Sequence, residues 1–133
     1  MPLASRAAVD DAAVDRAAYA TLLRAAKAEV NGIFLFSTEP RGERATAYCR
    51  MFAPHLGIPE DPATGSASGP LGCYLVTHRV VPAEQAGAML SLQGVKMGRP
   101  SHIHISIGFD AGTINSVRVG GEAVLAGEGT LYV

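Results

Sequence analysis

Glu60-Asp61-Pro62-Ala63-Thr64-Gly65-Ser66-Ala67-Ser68-Gly69-Pro70-Leu71-Gly72-Cys73-Tyr74-Leu75 is the stretch on which the reading of this chain turns, because an irregular segment runs there straight into a helix. Upstream, Ala53 to Gly65 holds three prolines and two glycines, too many for a regular element, and predicts an ordered loop. Downstream, Ala67, Leu71, Tyr74, Leu75 and His78 fall at helical spacing. Pro70 is acceptable only near a first turn, where an amide proton is dispensable. The predicted helix therefore runs from Ser66 or Ser68 to about His78.

Working outward towards the N-terminus, Ile33-Phe34-Leu35-Phe36 is a short apolar run of strand formers closed by Pro40 and Gly42. Arg44 to Phe52 places Thr46, Tyr48 and Phe52 on one parity and predicts a strand paired with it as a hairpin. Earlier still, Val14, Ala18, Leu22, Ala26 and Val30 recur every four positions, which predicts one amphipathic helix from Asp11 to Val30 with Asp10 or Asp11 as its cap. On the C-terminal side, Ala88 to Gln93, His102 to Phe109, Ser116 to Val119, Glu122 to Leu125 and Thr130 to Val133 read as strands separated by Gly or Asn turns. Strands wrapping a central helix, with another helix outside, predict an α+β domain, and no internal repeat or linker divides residues 1–133.

Composition narrows the function classes. A chain of 133 residues that is 48% hydrophobic suits one domain with a buried core. Eleven basic and twelve acidic side chains give a net charge of −1, and no stretch concentrates Lys and Arg as nucleic-acid binding requires. No apolar run approaches the roughly 20 residues that span a bilayer. Asp10, Asp11 and Asp15 interrupt the Ala-rich start, so no signal peptide is read and a cytoplasmic location is expected. Cys49 and Cys73 lack metal-type spacing and read as reduced core thiols.

The loop carries the chemistry. At a helix start several backbone amides have no intrahelical partner, and the helix dipole adds partial positive charge, so Thr64, Gly65 and Ser66 suit the grip of an anion. Gly65 removes a side chain from the approach, and Thr64 and Ser66 add hydroxyl donors. Glu60 and Asp61 supply carboxyl groups; successive side chains of an extended segment point to opposite sides, so at most one of the two enters the site. The same residues also read as a plain Asp-Pro turn and a Ser or Thr cap.

Gly57-Ile58-Pro59-Glu60-Asp61-Pro62-Ala63-Thr64-Gly65-Ser66-Ala67, preceded by Arg50-Met51-Phe52-Ala53-Pro54, resembles the signature of the phenazine-biosynthesis PhzF-like family. Gln93-Gly94-Val95-Lys96-Met97-Gly98-Arg99-Pro100-Ser101 resembles that family's second recurring pattern, in the expected order and separation. The resemblance implies the diaminopimelate epimerase-like fold, in which two similar domains, each a strand-wrapped central helix, enclose an active site. It implies an isomerase that moves protons without a cofactor, with Asp61 as the catalytic carboxylate, in a place that the epimerases give to a Cys. Gly65 with Ser66, helped by Thr64, would then hold the carboxylate of a small-molecule substrate. Only the family's C-terminal domain is covered, and the half with its catalytic Glu is not. The expected partner is therefore a second copy of the chain, as a homodimer, or a separately encoded N-terminal half. A binding or dimerisation module of the same fold is the non-enzymatic alternative.

The chief rival reading is metal binding. His102 and His104 lie two apart on a predicted strand and share a face, with Glu122 or Glu128 as the remaining candidate ligands. Neither a GxGxxG after a strand nor a Walker-type Lys-Ser/Thr is present, and Ser66 lacks the second glycine of a nucleophile elbow. Arg99, before Pro100, reads as a surface residue or as one that lends charge to a bound carboxylate, His55 as a loop residue and His78 as a helix-end residue.

Overall fold

The computed structural model describes residues 1–26, 31–39, 44–110 and 112–132. In chain order its elements are α1 (Arg6–Asp11), α2 (Arg16–Ala25), β1 (Ile33–Ser37), β2 (Ala47–Ala53), β3 (Ile58–Asp61), α3 (Gly65–Thr77), β4 (Met89–Gln93), β5 (Ser101–Asp110) and β6 (Thr113–Gly120). The strands form one curled sheet in the order β1-β2-β4-β5-β6, with β3 also paired to β2. The fold is α+β, with α3 held on the sheet's inner side.

β2 organises the molecule, because every one of its residues is buried. Alternate side chains of a strand leave on opposite faces, so such a strand needs cover on both. On one face Ala47 and Cys49 join Leu71, Leu75 and Val76 of α3, together with Met89, Ile105 and Ile107, in the core. On the other, Tyr48 donates to Asp10 Oδ1 at 2.5 Å and Arg50 reaches the backbone of α1. β1 pairs antiparallel with β2 from Ile33↔Phe52 to Ser37↔Tyr48, the expected hairpin, while Pro40 and Gly42 lie outside the described residues.

α3 approaches the sheet closely through glycine. A Cβ at Gly72 would stand 2.5 Å from Ile105 Cγ2, and one at Gly69 would stand 3.1 Å from Val117 Cγ1. The helix ends in a Schellman arrangement, in which the Arg79 amide donates to Val76 O and the Val80 amide to Leu75 O. Arg79 takes the left-handed conformation, φ 54°, and His78 is the C-cap, as its reading at a helix end anticipates.

Four expectations are corrected. The single helix Asp11 to Val30 is two helices, and neither Asp10 nor Asp11 caps the second; Asp15 does, accepting from the amides of Ala17 and Ala18. The break has a cause that periodicity does not carry: Arg50 Nη1 donates to the carbonyls of Val9, Asp10 and Ala12, which ends α1 there. Val30 lies outside the described residues. The loop Ala53 to Gly65 contains a short strand, β3, entered through a 3-10 turn at Pro54–Leu56 and left-handed Gly57. α3 begins at Gly65, so Pro70 is the sixth helical residue; the carbonyl it leaves without an amide is that of Ser66, at an exposed position. Finally, the segments Glu122 to Leu125 and Thr130 to Tyr132 form no strand, and Val133 lies outside the described residues. They follow the edge strand β6, and no described strand lies alongside them to complete a ladder.

Candidate functional site

The site arises where two strands meet end to end. β3 pairs antiparallel with β2, placing Asp61 opposite Met51, whereas β4 pairs parallel with β2, placing Gln93 opposite Cys49. β1 occupies the other edge of β2, so β3 and β4 share one edge, and their C-terminal ends converge on either side of Arg50. Asp61 and Gln93 therefore point to the same face, that of Cys49 and α3.

Gln93 closes the gap between the two strand ends. Fully buried, it accepts from the Thr64 amide through Oε1 at 3.1 Å, and Nε2 donates to Asp61 O at 2.6 Å and to Thr64 Oγ1 at 2.9 Å. Thr64 Oγ1 in turn donates to Asp61 Oδ2 at 2.5 Å. The Thr64 side chain is thus spent on Asp61 and makes no capping bond to α3, although Thr64 is the N-cap by position. The plain-cap reading fails for this residue.

At the helix start the Thr64 carbonyl accepts from the amides of Ala67 and Ser68 and from Ser68 Oγ. Among the described residues nothing accepts from the amides of Gly65 and Ser66, and both residues are exposed. These donors stand at the positive end of a thirteen-residue helix, four and five positions from a carboxylate. A Cβ at Gly65 would meet only Val119 Cγ1, at 3.8 Å, so the chain's own packing does not require glycine there.

Glu60 faces the other way, as the alternation of an extended segment requires. Its carboxylate takes a two-pronged ion pair from Arg50, Nε to Oε1 and Nη2 to Oε2, each at 2.9 Å. Of the two adjacent acids, Asp61 alone is turned to the helix start, and the Arg50–Glu60 pair holds β3 in the register that turns it. The sequence reading missed Gln93 and Arg50 as site-building residues, although both lie within the motif strings quoted for the resemblance. Gly94 supplies the signal that was available. Its φ is +77°, and a Cβ there would stand 2.2 Å from Arg99 O and 2.8 Å from Pro62 O, so glycine lets the second motif press against the first.

The remaining candidates lie elsewhere. His102 and His104 share the exposed face of β5, as their spacing predicts, and among the described residues no group of three or more His, Cys, Asp or Glu could hold a metal ion. Glu122 and Glu128 lie on the exposed C-terminal segment, and Arg99 is exposed. His55 sits in the 3-10 turn, bonded to Tyr19 Oη through Nδ1 at 2.9 Å.

Cys49 is buried and Cys73 half-buried on α3, both free thiols. Burial pushes the Cys49 thiol from 9.0 up to about 12, against a smaller opposing effect of the Ser91 hydroxyl that donates to its sulfur at 3.2 Å. A raised folded-state value gives stability that is complete below pH 9 and lost as pH climbs towards 12. Tyr48, held at about 12 by burial and its bond to Asp10, acts in the same direction above pH 10. Denaturant midpoints measured from pH 8 to 11 should therefore fall, and Cys49→Ala should flatten part of that fall. Cys49 should also resist a thiol reagent at pH 8 in the folded chain; labelling as fast as in denaturant would contradict this.

Comparison with known proteins places these features in context. The family model for phenazine biosynthesis-like proteins, PhzC-PhzF, matches residues 1–129. Trans-2,3-dihydro-3-hydroxyanthranilate isomerase of Pseudomonas aeruginosa is 40% identical over 84 residues, 63% of this chain and 30% of that protein. The uncharacterized isomerase YddE of Escherichia coli is 39% identical over 98 residues, 71% of this chain and 32% of that protein. A crystal structure of a phenazine biosynthesis PhzC/PhzF protein from Clostridium difficile superposes with a TM-score of 0.71 at 26% identity, covering all of this chain and 44% of the other. The chain thus spans about a third of the length of the curated relatives it matches.

Proposed function

Because the chain belongs to the PhzC-PhzF family, we propose that it carries the Asp61-bearing part of an isomerase that moves a proton within a small, carboxylate-bearing substrate without a cofactor. One observation carries this reading: a carboxylate and two unengaged backbone amides meet at one helix start, the first suited to proton transfer and the second to anchoring an anion. Thr64 contributes through Asp61, while Gly65 and Ser66 bind the substrate carboxylate. Relatives named as isomerases support the reaction class, and the trans-2,3-dihydro-3-hydroxyanthranilate named for the Pseudomonas relative is the first compound to try.

A proton moved between two positions needs an acid and a base, or one group reaching both. Among the described residues Asp61 is the carboxylate at the helix start, since Glu60 is committed to Arg50. The chain therefore acts as the C-terminal half of an isomerase whose second half comes from another copy or a separate N-terminal polypeptide. Light scattering at micromolar concentration should return at least twice the mass of one chain, or a complex with that polypeptide when both are present. A stable monomer under both conditions would remove this part of the proposal.

The test of Asp61 is its replacement by Asn, with deuterium uptake from heavy water into the substrate as the readout. The assembled protein should lose uptake while still binding the substrate carboxylate. Uptake at the unaltered rate would remove Asp61 from the chemistry. The isolation of Asp61 also gives the second reading its support, that of a binding module; binding without turnover in the unaltered protein, whatever the partner, would favour it.

A further inference from the structure

The hydrogen-bond pattern around Gln93 has a direction that two backbone groups impose. The Thr64 amide can only donate and the Asp61 carbonyl can only accept. The first must meet Oε1 and the second Nε2, so the buried carboxamide is locked in one orientation. Its remaining Nε2 proton then points at Thr64 Oγ1, 2.9 Å away. That oxygen has become an acceptor, and its own proton must go elsewhere. Asp61 Oδ2, at 2.5 Å, is the acceptor in reach.

We infer that Gln93 is a positioning residue that holds Thr64 as a permanent donor to Asp61 Oδ2, leaving Oδ1 as the oxygen that exchanges a proton with the substrate. The inference rests on the reading of Asp61 as the proton-transferring group. A proton placed on Oδ2 would displace the Thr64 proton from its only described acceptor, at a residue that is 7% exposed. A buried donor left without a partner is costly, so protonation falls on Oδ1. In the reaction, the substrate C–H bond breaks and an Oδ1–H bond forms while the bonding pair stays on the substrate. The proton then leaves Oδ1 for the acid–base group of the second half, which delivers a proton to a second carbon of the substrate, so that Asp61 ends as it began. Gly94 supports the device from behind, since its bare backbone lies close against that of Pro62.

The test combines a spectroscopic reading, which needs no activity, with kinetics. In NMR spectra of the unaltered protein, the Gln93 side-chain amide protons should exchange slowly with water. The Thr64 hydroxyl proton should be visible, with a cross-relaxation signal to the Gln93 amide. Thr64→Val should return Gln93 exchange towards that of an open amide, and Thr64→Ser should preserve it. In the assembled enzyme Thr64→Val should lower kcat roughly 100-fold with KM within about twofold, as loss of orientation does, and Thr64→Ser should recover most of it. Gln93→Glu, which keeps the acceptor and loses both donors, should resemble Thr64→Val wherever it folds.

Gln93 protons that exchange as fast as those of exposed amides overturn the inference, as does full kcat in Thr64→Val when Asp61→Asn is inactive. That second result leaves Asp61 as the base. If Asp61→Asn keeps its activity, the catalytic reading falls instead, and the exchange data alone decide the direction of the bonds.

Discussion

Replacing Arg50 with Met should lower the unfolding free energy by about 3–5 kcal/mol, the usual cost of stripping one partner from a buried ion pair. Arg50 is 7% exposed and makes five hydrogen bonds: two to Glu60 and three to the carbonyls of Val9, Asp10 and Ala12. Methionine fills much of the volume but leaves a carboxylate unpaired in a poorly hydrated place and three carbonyls short of a donor. Against a total stability of about 5–15 kcal/mol for a domain, the loss is a large fraction. Arg50→Lys should recover little, because an ammonium cannot present the planar fork that meets Glu60 while reaching the end of α1. Adding Glu60→Gln to Arg50→Met should restore part of the loss, since the uncompensated charge goes with it. Urea midpoints at constant slope are the measurement, and a loss below about 1 kcal/mol would show that the pair behaves as a solvated one. The consequence reaches the site, because the same pair sets which way β3 turns Asp61.

Gly94→Ala should cost about 2–5 kcal/mol, from two sources that a control separates. The left-handed backbone costs roughly 1–2 kcal/mol for a residue with a Cβ, and forcing a methyl into filled space costs typically 1–3 more. At Gly94 the methyl would stand 2.2 Å from Arg99 O and 2.8 Å from Pro62 O, both backbone atoms with no rotamer to escape into. Gly98 is the control: its φ is +68°, and nothing lies within 4 Å of its Cβ position, so Gly98→Ala should show the backbone cost alone. Equal losses at the two positions would mean that the two motif segments do not press together as described. A Gly94→Ala chain that still folds should bind carboxylates through the Gly65 and Ser66 amides but turn over poorly, because Gln93 is drawn off the Asp61 to Thr64 loop.

Much of this architecture was legible in the sequence, for a physical reason. β1, β2, β4, β5 and α3 bury apolar side chains at the spacing of their own geometry, and Ile103, Ile105 and Ile107 are the plainest instance. What escaped was set by polar groups acting across long separations. The break after α1 depends on a guanidinium some forty positions away, and β3 is a strand because β2 offers it an edge, not because Ile58-Pro59-Glu60-Asp61 favours one. At the site, the open amides of Gly65 and Ser66 follow from a helix start and could be read locally. Gln93 could not, because its neighbour Gly94 marks a close backbone approach without saying that the Gln93 amide is buried against a loop 29 residues upstream. The strands anticipated after Gly121 failed from the opposite cause: the segment has strand-forming residues, but no described strand pairs with it.

The end-to-end meeting of β3 and β4 on β2 has a consequence for the order of folding. The strands β1, β2 and β3 associate through neighbouring segments, whereas β4 must cross the whole of α3 before Ala47 finds Ser91. Long-range parallel pairing is the slow kind, since chain entropy is lost before contacts compensate. The grip on Thr64 therefore exists only once that last parallel pairing has closed. A chain with β4 detached would keep Asp61 and lose its aim, so the protection of the Thr64 amide against hydrogen exchange reports that β4 has joined β2.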